Sequence, residues 1–290
     1  MREDILKNQS HIKTSRRDII TKSICGIICI LLLIIFIYPL MYVFIGSFYY
    51  KKTFSFDGYL LLLKNKMVIR GFVNSILYST IGTSISVVLT IMSAFALSND
   101  RLRGKTLIER VFFYIPFHIS GGIITTYIVV RSLGLLNTVW ALVLPFAVSY
   151  RNLCDLKARF ENGYEKDLFK VASLDGCGPI WFLTKIGIPL LSPSIMLVAF
   201  RYFMSYWGNY FYAQIFITDR EKYPLSLVLN ELLVKNQAAD VLVTSSSAQG
   251  IYAVQMAEFA LIVISSIPIL VAYIFTSKNL YCMQKDVKVK

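Results

Sequence analysis

Residues able to do chemistry are sparse in this chain. It has two histidines, His11 and His118, and five cysteines, Cys25, Cys29, Cys154, Cys177 and Cys282. None falls at a spacing that would hold a metal, and no serine or aspartate motif sets a nucleophile beside a base. Cys25 and Cys29 share a helix face, where small packing residues are the ordinary reading. Two other ionisable residues stand out by position. Arg201 and Glu258 each interrupt an apolar run, and a charge so placed marks a solute pathway or a buried pair. At about 1.5 Å of rise per residue their depths differ by only a few ångströms. The spacing predicts that they pair with each other, or that one faces a polar cavity; satisfaction by other polar groups or water is the plainer alternative. His118 lies mid-run beside Ser120-Gly121-Gly122. A hydrogen-bonded packing histidine fits it better than proton transfer, and the glycine pair suits close helix packing or a kink.

The elements that must position these residues are membrane helices. The 290 residues are 56% hydrophobic and only 16% charged, too apolar for an ordinary soluble domain. A span needs about 20 mostly apolar residues. Six runs qualify, at 24–48, 72–97, 108–130, 138–153, 190–211 and 253–275; the fourth is the shortest, with Leu136-Asn137-Thr138 as its cap. The expected fold is all-α and polytopic, one membrane domain over 24–276 between short tails at 1–23 and 277–290. The first run is too long for a cleaved signal and lacks a small-residue cleavage site, so it reads as a retained helix. The formal charge of +13 could suggest nucleic acid, but its placement argues for topology. With the N-terminus inside, inner segments hold 20 of the 30 basic residues and outer ones 9, which puts both termini in the cytoplasm. No cysteine falls in an outer loop, so no disulfide framework is expected. The longest outer connection, about 217–252, carries a flexible turn composition at 244–250.

The longest inner connection, 156–188, holds the most informative stretch: Val171-Ala172-Ser173-Leu174-Asp175-Gly176-Cys177-Gly178-Pro179, then Ile186-Gly187-Ile188-Pro189. Residues 167–174 suit a helix that Gly176 would end in a left-handed conformation. Pro179 suits the first turn of a second helix, which runs to Ile186 until Pro189 interrupts it. Ala172, Asp175 and Gly176, spaced i, i+3 and i+4, would share one side of the first helix. The pattern describes an elbow with small residues where a partner surface could approach closely. An ordinary helix-turn-helix between spans is the plain alternative.

These residues resemble the EAA loop of binding-protein-dependent ABC importer permeases. The resemblance extends to Asn74-Ser75-Ile76-Leu77-Tyr78, Ser120-Gly121-Gly122-Ile123-Ile124, the run 133–142 from Leu133-Gly134 to Ala141-Leu142, Trp207-Gly208-Asn209-Tyr210-Phe211 and Tyr223-Pro224-Leu225. These are similar to the carbohydrate branch, and within it to permeases for complex oligosaccharides. The resemblance implies a six-span subunit of a pseudo-symmetric permease heterodimer in the bacterial cell membrane. Two ATPase subunits would bind ATP and magnesium below it, and an extracytoplasmic solute-binding protein would deliver the sugar. This chain would bind no cofactor, touch no nucleic acid and make or break no bonds. The elbow would be the coupling helix, with Ala172, Asp175 and Gly176 at motif positions and Pro189 as the closing proline. Lys170 stands at the family's glutamate position, Val171 at its first alanine and Cys177 at the alanine after Asp-Gly. Such a lysine repels a groove built for an acid, or meets a compensating acid there.

Under this reading Arg201, Tyr206, Trp207, Asn209 and Glu258 are the candidates for the sugar pathway. Tyr202, Tyr206, Trp207, Tyr210 and Tyr212 crowd the outer part of the fifth run, where aromatics form an interfacial belt or, more sharply, stack on sugars. Asn209 would pack or gate. The competing readings are the same architecture carrying an amino acid, peptide or anion, an ATP-independent transporter, and an intramembrane enzyme. No chemistry at membrane depth supports the last.

Overall fold

Long apolar runs with few interior charges give the chain its three longest helices. The computed structural model describes residues 16–50, 53–99, 102–119, 121–162, 164–234 and 248–288. Helix α1 is Arg16–Phe48; after a two-residue hairpin, Tyr49–Tyr50 with Thr53–Phe54, come α2 (Asp57–Lys64) and α3 (Lys66–Ser98). Asn65 ends α2 and starts α3: its side-chain oxygen accepts from the amides of Met67 at 2.9 Å and Val68 at 3.4 Å, groups that a helix N-terminus otherwise leaves unpaired. Then follow α4 (Lys105–His118), α5 (Gly122–Ser132), α6 (Val139–Val143), α7 (Tyr150–Asn162), α8 (Tyr164–Leu174), α9 (Pro179–Leu190), α10 (Ser192–Trp207), α11 (Tyr210–Phe216), α12 (Leu225–Val234) and α13 (Ala248–Lys288).

Three of these helices carry segments long and apolar enough to cross a membrane: Thr21–Phe48, Lys66–Ser98 and Met256–Ser277. The count is five if each bent pair forms one span, α4 with α5 at 119° and α9 with α10 at 82°. The third expected run, 108–130, is therefore broken, and the break falls at the glycine pair. The fourth, 138–153, is not one helix. Proline 145 lacks an amide donor, and the chain turns through Leu144–Phe146 before α7 begins. Helix α7 then continues to Asn162, because Leu153, Leu156 and Phe160 form a stripe that is fully buried or nearly so.

Two wide, π-helical turns precede prolines. Arg110–Tyr114 comes just before Ile115-Pro116, and Leu183–Gly187 just before Ile188-Pro189. A proline leaves a carbonyl one turn back without its usual donor, and the wider turn lets the coil continue past that gap. This is why Pro189 does not stop α9; the chain breaks at Leu191 instead.

Helix α3 is the central post, packed on α10, α7 and α12. In lipid, apolar burial between helices gains little, so close approach and hydrogen bonds carry the packing. Along the α3–α10 seam, a Cβ at Gly82 would lie only 2.8 Å from the Tyr206 ring. One and two turns on, Ser86 bonds the Tyr206 hydroxyl at 2.8 Å and Thr90 the Tyr202 hydroxyl at 2.7 Å, both pairs buried. Trp207 ties α10 to α13 by donating to the Ser265 carbonyl at 3.1 Å.

Candidate functional site

The elbow is built as a capped turn on a rigid base. Helix α8 ends at Leu174 because Gly176 is left-handed, φ +82°. The Cys177 amide donates to the Ala172 carbonyl at 2.9 Å and the Gly176 amide to Ser173 at 3.3 Å, a Schellman closure that satisfies the last carbonyls. Gly178 is extended and caps α9, whose first residue is Pro179. The Asp175 amide still donates to the Val171 carbonyl at 3.2 Å, so Asp175 caps α8, and of the three residues expected on one helical face it is Gly176 that leaves the helix. Lys170 lies on α8 and contacts Asp167 at 3.2 Å. Pro189 sits in the last turn of α9, at its surface.

Four phenylalanines fix the elbow to the helix ends. Phe169 of α8 and Phe182 of α9 pack ring to ring at 5.0 Å, and both lie against Phe95 of α3, which also meets Phe160 of α7 at 5.5 Å. Phe182 is 1% exposed. Above this base an apolar ridge is left open: Leu174 is 87% exposed, Ile180 77%, Val171 57% and Trp181 52%. Large apolar groups so exposed on a rigid turn make it a candidate docking surface.

The intramembrane charges pair differently from expectation. Arg201 does not meet Glu258. Its guanidinium donates to the Asp155 carboxylate of α7, and at 3.5 Å to the Asn152 side chain. The sequence hides this because Asp155 lies on the polar side of a helix that reads as a loop. Glu258 lies near the start of the Met256–Ser277 span, half-buried. Tyr202, Tyr206 and Trp207 are neither a lipid belt nor a cavity lining. All three are buried in the α3, α10 and α13 packing described above, Tyr206 and Trp207 included. Tyr210 is exposed and Asn209 begins α11. His118 bonds back to the Tyr114 carbonyl at 2.9 Å, the local role expected of it, although it lies at the surface of the chain.

At the end of the molecule away from the elbow, a polar clamp joins three motifs that the sequence left unconnected. Asn74 donates to the carbonyls of Glu221 at 2.9 Å and Tyr223 at 3.1 Å, and Tyr78 to Lys222 at 3.0 Å. Ser75 accepts from the Leu225 amide at 2.7 Å. Asn137, at φ 59°, accepts from the amides of Thr218 at 2.7 Å and Asp219 at 3.2 Å and from the Thr218 hydroxyl at 3.0 Å. One asparagine thus holds a whole turn. Asn137→Ala leaves two backbone amides without this acceptor, a loss of about 1–3 kcal/mol. The expected result is a lower unfolding midpoint of the purified chain and faster proteolysis within 217–224.

A bundle of apolar helices that carries a rigid elbow with an exposed apolar ridge is the architecture of a membrane protein with a surface left open for a partner. No protein-family model matches the chain. Its relatives are specific nevertheless. Protein LplC of Bacillus subtilis is 33% identical over 258 residues, 84% of this chain and 85% of its own length. The polygalacturonan/rhamnogalacturonan transport system permease protein YtcP of the same bacterium is 32% identical, covering 78% of this chain and 79% of its own. The fold matches a chain of a bacterial ABC transporter involved in the import of the acidic polysaccharide alginate, with a TM-score of 0.80 at 24% identity, over 91% of this chain and 98% of that one. The chain belongs to the permease subunits of the carbohydrate ABC importers.

Proposed function

We propose that this chain is the transmembrane subunit of an ATP-driven importer that carries an oligosaccharide into the cell by alternating access. The open ridge at Leu174, Ile180 and Trp181, held by buried aromatics on the ends of α3 and α7, is the observation that supports it. A groove on an ATPase that grips this ridge moves α7 and α10 with it, because the elbow sits directly between them in the chain. Closure of the ATPase dimer on ATP then becomes rotation of whole helices, and hydrolysis resets it. ATP and magnesium belong to the ATPase subunits; this chain is not itself an enzyme.

The full assembly in this reading has a second, homologous permease, two ATPases, and a solute-binding protein on the opposite face. Six crossings result if α6, the turn after it and α7 together make the fourth. The elbow and both termini are then cytoplasmic, as the basic residues suggest. The α9–α10 bend of 82° fits, since it lets α9 lie along the inner face where α10 enters the membrane. Of the residues near the sugar path, Arg201 stays a candidate, and Glu258 and Asn209 are assigned to the outer half.

The test is purification of the tagged chain from its native membrane, beside a Gly176→Asp variant. Space is open around Gly176, so the substitution acts through the backbone, at about 1–2 kcal/mol for a left-handed residue, and through a charge on the ridge. Wild type should bring down an ATPase and a second permease, and in vesicles should take up oligosaccharide only with ATP and the binding protein. The variant should lose the ATPase. Uptake without ATP would overturn the reading.

A further inference from the structure

We infer that the cleft between α7 and α10, lined by Arg159, Arg201 and Asp155, is a transit site that takes the carboxylate of an acidic saccharide; this rests on the permease reading above. The cleft has a volume of about 320 Å³, and Leu156, Ala158, Ser194, Leu197 and Val198 complete its wall. Arg201 lies nine residues into α10, about 14 Å from the elbow end, and Asp155 lies seven residues before the end of α7, about 10 Å from it. Arg201 falls within the α9–α10 pair, which is long and apolar enough to cross a membrane, and Asp155 meets it from the neighbouring helix. Yet the Arg201 side chain is 38% exposed and the Asp155 side chain 50%, and Arg159, one turn from Asp155, is also exposed. Charges in such numbers do not face lipid; they face a water-filled cavity or another polar surface.

The charges do not cancel. Asp155 offsets Arg201, while Arg159 has no ion-pair partner among the described residues. Among the described residues the site keeps one net positive charge and an unpaired guanidinium fork, a geometry that suits a carboxylate held through two parallel hydrogen bonds. Asp155 and Ser194 supply partners for hydroxyls beside it. The mixture of two guanidiniums, one carboxylate and a hydroxyl fits a uronate ring better than a simple anion, which would use only the arginines. A site that shares its fork with an internal carboxylate holds solute weakly, as passage requires.

The test uses the assembled importer, purified with its partners in nanodiscs without nucleotide. The chain carries Ser194→Cys with its native cysteines replaced. Modification by an anionic sulfonatoethyl thiosulfonate reagent is compared with a cationic trimethylammonium one, each normalised to its rate with a free thiol. The expected result is about a tenfold preference for the anion, since a cleft with a net positive charge concentrates counter-ions to about that degree, with near parity in Arg159→Gln. A galacturonate trimer should slow the modification at least about twofold, and a neutral maltotriose should not. No modification by either reagent, parity in the parent chain, or equal protection by both trimers would overturn the inference. ATP hydrolysis by the same nanodiscs separates this outcome from failure of the permease reading: hydrolysis with no anion preference sinks the site alone, and absence of any ATPase sinks both.

Discussion

Replacing Leu174 with aspartate strips the ATPase from the purified complex and leaves the permease chain folded. The two halves of this result rest on one number. At 87% exposure Leu174 contributes almost nothing to the chain's own core, and surface changes away from special features stay within about 0.5 kcal/mol. Its neighbours in space, Ile180 and Trp181, are exposed as well, so the aspartate meets no buried group in the isolated subunit. In a docked complex the same leucine is an apolar anchor at the tip of the ridge. Truncated anchors of this kind cost about 2 kcal/mol or more, roughly thirtyfold in affinity, and a desolvated carboxylate adds to that. The measurement is ATPase recovered per permease by mass spectrometry, with the unfolding midpoint of the chain as control. A midpoint within a degree or two and ATPase recovery below a tenth of wild type are expected. Full recovery would place the docking surface elsewhere. Lys170→Glu is the informative companion: Lys170 is exposed and, among the described residues, pairs with Asp167 on its own helix, so a change in recovery reports on the groove opposite.

The parts of this molecule that were legible in its sequence are those governed by one-dimensional rules. Helices α1, α3 and α13 follow from long apolar runs, with Glu258 a single interruption in the last. The elbow follows from Gly176 and Pro179, which dictate backbone conformation whatever surrounds them. Helix α7 was missed because it is held by a stripe, Leu153, Leu156 and Phe160, while Arg151, Asp155, Lys157, Arg159 and Glu161 cover the rest; a hydropathy average sees only the charges. That omission carried over to the site. Arg201 is conspicuous as a lone charge in an apolar run, but its partner is 46 residues back on the face of a helix that did not seem to be one. For the aromatics a signal was present and unread. Val198, Tyr202 and Tyr206 recur every four residues, as do Gly82, Ser86, Thr90 and Ala94. Two four-residue rows, one large and one small, are the pattern of two helices in close contact. The pairing of Asn74, Asn137 and the 218–225 turn had no such signal, because hydrogen bonds between distant loops leave no period.

Cutting Phe182 back to alanine uncouples ATP hydrolysis from transport. Phe182 is the keystone of the elbow: it is 1% exposed, touches Phe169 across the turn, and stacks on Phe95 at 6.3 Å. Removing such a ring costs about 3–5 kcal/mol, enough to free α8 and α9 from the ends of α3 and α7. The ridge that meets the ATPase is made of other residues, so docking persists in weakened form while the movement it delivers is absorbed by the slack. The expected reading is basal ATP hydrolysis near the wild-type rate, with solute moved per ATP lowered at least about tenfold. Phe182→Leu keeps most of the volume, since shape changes in a core cost less than deletion, and should fall between. Instability alone could mimic the loss, and Phe216→Ala controls for it. Phe216 is equally buried, 1% exposed, but packs against Tyr127 and Tyr212 in a separate cluster away from the elbow. If both alanine variants lower the unfolding midpoint alike and only Phe182→Ala lowers transport per ATP, the aromatic base transmits force. An equal ratio in the two variants means that it holds the fold and nothing more.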